Sequence, residues 1–111
     1  MFKASLTLVS AAVMLAFASM APAQAAVDAA AAQALFKDSK CTKCHAPDKT
    51  KTGPSLKSIA ADHKGKADAQ DKVVHQMTAG PKLKDGSAEH PKVTAKDPKD
   101  VKNLADWILA Q

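Results

Sequence analysis

The chain has 111 residues, a formal net charge of +5 and a 46% hydrophobic composition. That length excludes anything beyond one small domain. All sixteen basic residues are Lys and aromatic residues make up only 4%, so an arginine- and aromatic-rich nucleic-acid interface is excluded as well.

Residues 1–25 read as a cleaved secretory signal. Lys3 and the amino terminus give a positive start, Leu6 to Phe17 is an apolar run, and Ala23-Gln24-Ala25 is a small-x-small cleavage site. The run is short beside the ~20 apolar residues of a membrane span, which makes an uncleaved anchor the weaker reading. No later segment could cross a membrane, and no Cys stands at the junction to carry a lipid. The expected mature chain is residues 26–111, a single domain with a net charge of +4 once Lys3 is removed. It carries fifteen large apolar side chains between Val27 and Leu109. A core this thin calls for a staple: a disulfide, a metal, a cofactor or a partner.

Asp28 can cap a first helix running to about Lys40 through an Ala-rich stretch with Leu35 and Phe36. The Ala run alone could be a flexible terminus, but its helix propensity favours the helix. Next comes Cys41-Thr42-Lys43-Cys44-His45, which holds both cysteines of the chain. A short helix follows Pro54, roughly Ser55 to His63, with Leu56, Ile59 and Ala60 on one face. Asp68 can cap a third helix to about Ala79, turning Val73, Val74 and Met77 inward, and Gly80-Pro81 ends it. A loop from Pro81 to Lys96 leads to the last helix. There Asp97 is the N-cap, Pro98 fits the first position, and Val101, Leu104, Ala105 and Ile108 share a face flanked by Trp107 and Leu109. No strand alternation and no internal repeat is evident, so the expected fold is all-α with about four helices.

The pentapeptide identifies the staple. Two exported cysteines could form a disulfide, and a Cys-x-x-Cys pair could be a redox dithiol or half a zinc site. A redox dithiol needs a βαβ context and a zinc site needs four ligands; neither is present. Cys-x-x-Cys-His is the attachment signal for c-type haem: the two thiols add to the two vinyl groups, and the following His reaches the iron. The expectation is one haem, bound covalently through Cys41 and Cys44, with His45 as an axial ligand.

With the haem motif in place, the mature chain resembles a class I c-type cytochrome of the small bacterial monohaem type. The resemblance runs in order through Leu35-Phe36, the haem motif, Gly53-Pro54-x-Leu56, Val73 to Gly80, and Leu104-Ala105-Asp106-Trp107-Ile108-Leu109. It implies that the first and last helices pack together, with Ala32 allowing close approach and Phe36 meeting the last helix near Leu104. It implies that the Pro54 carbonyl accepts the second ring N–H of His45, which fixes the tautomer and raises ligand basicity. It also implies that Leu56, Ile59, Met77 and Trp107 line the haem.

One position departs from the family pattern. The family supplies a distal Met from the loop before the last helix, commonly followed by Pro, and here Glu89-His90-Pro91 stands in that place. The only Met beyond the signal segment is Met77, where the family has an aliphatic packing residue. His90 is therefore the expected sixth ligand, a good iron ligand when neutral. Met77 and an open iron are the alternatives, and His63 and His75 read as solvated surface side chains.

The resemblance implies a soluble periplasmic one-electron carrier in a respiratory chain, not an enzyme, and a monomer without stable membrane insertion. Its partners would be other redox proteins: membrane-bound or multihaem cytochromes, oxidases or reductases. Lys40, Lys43, Lys49, Lys51, Lys82, Lys84 and Lys92 flank the motif and the distal loop. They either steer partners with acidic docking surfaces or simply solvate the chain. The alternative reading is a haem-based sensor in which CO or NO displaces a weak distal ligand.

Overall fold

The computed structural model describes residues 26–111, so the expected signal segment lies outside the described residues. The chain forms α1 (Ala29–Asp38), a 3₁₀ turn (Cys41–Lys43), α2 (Leu56–His63), α3 (Ala69–Ala79) and α4 (Pro98–Leu109). This is the all-α arrangement that the sequence implies.

Local chemistry explains most of the helix ends. The Asp28 carboxylate accepts from the Ala31 N–H at 3.0 Å and starts α1. The Ser55 hydroxyl accepts from the Ser58 N–H at 3.1 Å and starts α2. The next two free N–H groups of α2, on Leu56 and Lys57, donate to the carbonyls of Ala46 and Pro47 at 3.0 and 3.1 Å. Backbone just past the haem motif thus supplies partners that a helix start otherwise lacks. Asp97 caps α4 through the Lys99 N–H at 2.9 Å, with Pro98 in the first turn.

Two expectations need correction. Asp68 precedes α3 but its side chain makes no capping bond; it pairs with Lys72 one turn on, at 3.2 Å. The first helix stops at Asp38, two residues before the expected Lys40, because Lys40 takes a left-handed conformation (φ 59°) to enter the 3₁₀ turn. That conformation costs a non-glycine residue about 1–2 kcal/mol. Lys40→Gly is therefore expected to raise the thermal midpoint by a few degrees, since ~1 kcal/mol corresponds to ~4–8 °C in a domain of this size. An unchanged or lower midpoint in a calorimetric scan would show that Lys40 is unstrained.

α4 packs against α1, α2 and α3, and the core follows its apolar face. Val101, Leu104, Ala105 and Ile108 are buried together with Ala32, Phe36, Leu56, Val73, Met77 and Val93. Ala32, Leu104 and Ala105 are wholly enclosed, so α1 and α4 meet at small side chains as expected. Phe36 meets the Trp107 ring edge-on, with centroids 5.6 Å apart and a 62° interplanar angle; such a pair adds about 0.5–1.5 kcal/mol beyond its buried area. Polar contacts tie the helices in register. The Asn103 amide pairs with both backbone groups of Asp28 at 2.9 Å, and Gln70 donates to Asp106 at 2.8 Å, joining α3 to α4.

Candidate functional site

The haem motif is wound tightly. The Cys41 carbonyl accepts from the N–H groups of both Cys44 and His45, at 3.1 and 2.9 Å. Cys41 and Cys44 form no disulfide with each other. Burial pushes the Cys41 thiol up from its ordinary value; its own backbone opposes this and Cys44 reinforces it. Among the described residues no group of three or more His, Cys, Asp and Glu side chains is placed to hold a separate metal ion.

The loop after the motif is built to hold the His45 ring. The His45 Nδ1 lies 2.7 Å from the Pro54 carbonyl. A carbonyl only accepts, so Nδ1–H is the donor and Nε2 keeps its lone pair for a metal. The loop closes through Gly53 N–H to the Cys44 carbonyl at 2.8 Å and through a bridge between His45 and Thr50. A Cβ at Gly53 would lie 2.7 Å from His45 Cε1 and 3.0 Å from Nδ1, so only glycine lets the backbone pass this close to the ring. The Lys51 ammonium folds back to donate to the Thr42 carbonyl inside the motif at 2.7 Å.

His90 mirrors His45. Its Nδ1 lies 2.8 Å from the Pro91 carbonyl, which again makes Nδ1–H the donor and leaves Nε2 free. The centroids of the two rings lie 6.2 Å apart, with a 42° interplanar angle. Metal–imidazole bonds of about 2.0–2.1 Å, with each nitrogen roughly 1.1 Å from its ring centre, require a centroid separation near 6.2–6.4 Å. The residues present therefore fit one iron between two imidazoles. Burial, aided by the neighbouring His45, holds the His90 imidazole below its ordinary pKa of 6.5 against the opposing Pro91 carbonyl. It is thus neutral, the form that binds metal.

Most of the other expected site residues lie in or against the apolar core. Leu56 is 1% exposed and Met77 5%. Ile59, Trp107 and Cys41 are partly buried against the same apolar cluster. Met77 remains inside α3, with its carbonyl bound to the Val93 N–H at 2.7 Å. Pro54 is exposed and contributes its carbonyl. His75 is exposed as expected, but His63 is not freely solvated: its Nδ1 is enclosed and has no hydrogen-bond partner. A cavity of about 540 Å³, lined by Lys57, Ala60, His63, Lys66 and Leu109 among others, involves neither the motif nor His90. Sequence reasoning missed the Pro91 carbonyl, the Lys51 bond and the Gly53 approach. Only the last had a visible signal, a Gly directly before the ligand-anchoring Pro54.

Comparison with known proteins identifies the family. The family model for cytochrome c matches residues 29–111, and the chain belongs to that family. Within it, the chain is a class I monohaem cytochrome of the small c-551/c-552 kind: an electron-transfer protein, not an enzyme, with one covalently bound haem c. It is 36% identical over 75 residues to cytochrome c-551 of Allochromatium vinosum, an alignment covering 68% of this chain and 80% of that one. The crystal structure of the class 1 cytochrome MtoD from Sideroxydans lithotrophicus ES-1 superposes with a TM-score of 0.68 at 45% identity, covering 77% of this chain and 97% of that one. Cytochrome c552 of Nitrosomonas europaea superposes with a TM-score of 0.59 at 34% identity, covering 69% and 95%. No helix among the described residues is long and apolar enough to cross a membrane.

Proposed function

We propose that this electron carrier works in the periplasm with two imidazoles on its iron, His45 on the proximal side and His90 on the distal side. The observation that carries this reading is the 6.2 Å separation of the rings, each with its Nδ1 bonded to a carbonyl. When bound, the haem supplies a one-electron exchange between ferric and ferrous iron. Cys41 and Cys44 hold it as thioethers, so it is not lost in an open compartment. The Pro54 and Pro91 carbonyls keep both rings oriented and raise their basicity. Two firm ligands keep small molecules off the metal and limit rearrangement between oxidation states. A Met sulfur raises the haem potential relative to a harder ligand, so a His90-ligated protein has a lower potential than a Met-ligated relative. Pro54, Leu56, Ile59, Met77 and Trp107 form the surroundings of the cofactor.

An EPR and visible spectrum of the oxidised holoprotein tests the ligation. Paired-imidazole g-values without a far-red sulfur-to-iron band are expected. The band would transfer the role to Met77, and a high-spin signal would favour a displaceable ligand and the sensor reading.

Acid gives an independent check. The folded state favours neutral His90, so its contribution is complete above the ordinary pKa of 6.5 and is lost as pH falls through the lowered folded value. The iron bond carries that value lower still. The low-spin spectrum is therefore expected to persist below pH 6.5 and to give way to high-spin iron on further acidification, before global unfolding. A low-spin spectrum that changes only when far-UV circular dichroism collapses would count against a proton-sensitive His90.

Export is supported by Lys3, the apolar run and the Ala23-Gln24-Ala25 site, with the α1 cap at Asp28 just beyond them. Docking to acidic redox partners is supported by seven exposed lysines around the motif and the distal loop: Lys40, Lys43, Lys49, Lys51, Lys82, Lys84 and Lys92. None of them is in an ion pair; the pair recorded among the described residues is Lys72–Asp68. Such charges act on encounter rate and are screened by salt.

A further inference from the structure

The distal loop folds back onto the end of α3. The His90 N–H donates to the Pro81 carbonyl at 2.8 Å, and the Val93 N–H donates to the Met77 carbonyl at 2.7 Å. Lys82 and Glu89 pair across the neck as an antiparallel bridge, and the Leu83 N–H reaches the Ala88 carbonyl at 2.8 Å. At the base of this neck stands Gly80, in the left-handed conformation (φ +60°). A Cβ there would lie 2.9 Å from the His90 carbonyl oxygen and 2.8 Å from Lys92 Cε. The Lys92 stem is flexible and can move aside. The His90 carbonyl is backbone, and its residue is already tied to Pro81, so it can withdraw only by moving the ligand-bearing residue.

We infer that Gly80 is a positioning residue for the distal ligand. The missing side chain lets the His90 backbone seat against the end of α3, and that seating sets the distance between the His90 and His45 rings. This rests on the reading of His90 as the distal ligand. A helix end in the left-handed conformation explains a glycine by itself, but it does not explain why the space beside that glycine is filled by the ligand's own carbonyl. Gly86 separates the two effects. It lies in the same loop with a similarly positive φ (+71°), and a Cβ there would meet nothing within 4 Å.

The test compares Gly80→Ala, Gly86→Ala and His90→Ala as haem-loaded proteins. Both glycine variants take on a similar backbone strain, so both should lose thermal stability. Only Gly80→Ala is expected to change the iron: at least tenfold faster CO binding to the reduced protein and altered EPR g-values in the oxidised one. If Gly80→Ala keeps the parent CO rate and g-values, or changes them no more than Gly86→Ala does, the inference fails. Should Gly80→Ala not load haem, Gly80→Asn keeps the test open. Asn accepts the left-handed conformation yet carries the same Cβ, so it should show the same changes at the iron. If His90→Ala leaves the low-spin spectrum intact, the ligand reading itself has failed. If His90→Ala alters the spectrum but Gly80→Ala and Gly80→Asn do not, only the positioning role is lost.

Discussion

His90→Ala is expected to convert the oxidised holoprotein from low-spin to high-spin iron and to open the reduced protein to CO. The substitution removes the imidazole whose ring lies 6.2 Å from that of His45. It removes the ring's bond to the Pro91 carbonyl but keeps the bond to Pro81, which comes from the His90 backbone N–H. The size of the effect follows from populations. A ligand that needs the distal position sees only the fraction of molecules with that position open. If the open form is held to about 1% in the parent, its apparent affinity rises about a hundredfold when the imidazole is gone. Stopped-flow CO binding and EPR measure the two changes. A variant that retains both parent spectra and the parent CO rate would remove His90 from the iron and return attention to Met77, which is buried at 5% exposure within α3.

The paired replacement Cys41→Ser and Cys44→Ser is expected to have the largest structural effect. It removes both thioethers, so haem should be lost from the polypeptide on a denaturing gel. The chain should also lose most of its helical circular dichroism at 25 °C. The reason is the thinness of the protein core: among the described residues, Leu56 and Leu104 are the large side chains that are fully enclosed. A domain of this size rarely draws more than about 3–5 kcal/mol from its apolar core alone. Several core members, Leu56, Met77 and Val93 among them, belong to the same cluster as Cys41, Ile59 and Trp107. Without the cofactor this cluster loses a large apolar neighbour, and a loss of a few kcal/mol is enough to unfold a marginal domain. A double variant with the parent's helicity and thermal midpoint would show that the polypeptide core suffices.

The parts legible in the sequence were those whose causes lie within a few residues. Asp28, Ser55 and Asp97 sit two or three residues from the N–H groups they bind, and the α4 face Val101, Leu104, Ala105 and Ile108 repeats with the helix. The failures have equally local appearances but competing partners. Asp68 looks like a cap, yet its carboxylate is drawn to Lys72. Lys40 looks helical, yet the tight turn at Cys41 forces it left-handed. His63 looks like a surface residue, yet its Nδ1 is enclosed without a partner.

The sequence by itself determined the covalent chemistry. Cys41, Cys44 and His45 lie within one turn of chain, so their spacing is set by bond geometry before any folding. It also determined the helices, through caps and apolar period, and the departure at His90. Only the tertiary structure decided that the His90 ring lies 6.2 Å from that of His45, that carbonyls of Pro54 and Pro91 bond the Nδ1 atom of each ring, and that Phe36 reaches Trp107 rather than Leu104 alone. Those contacts join residues far apart in the chain. They form only when loop closure is outweighed by the packing of α4 against the other helices, and no local pattern records that balance.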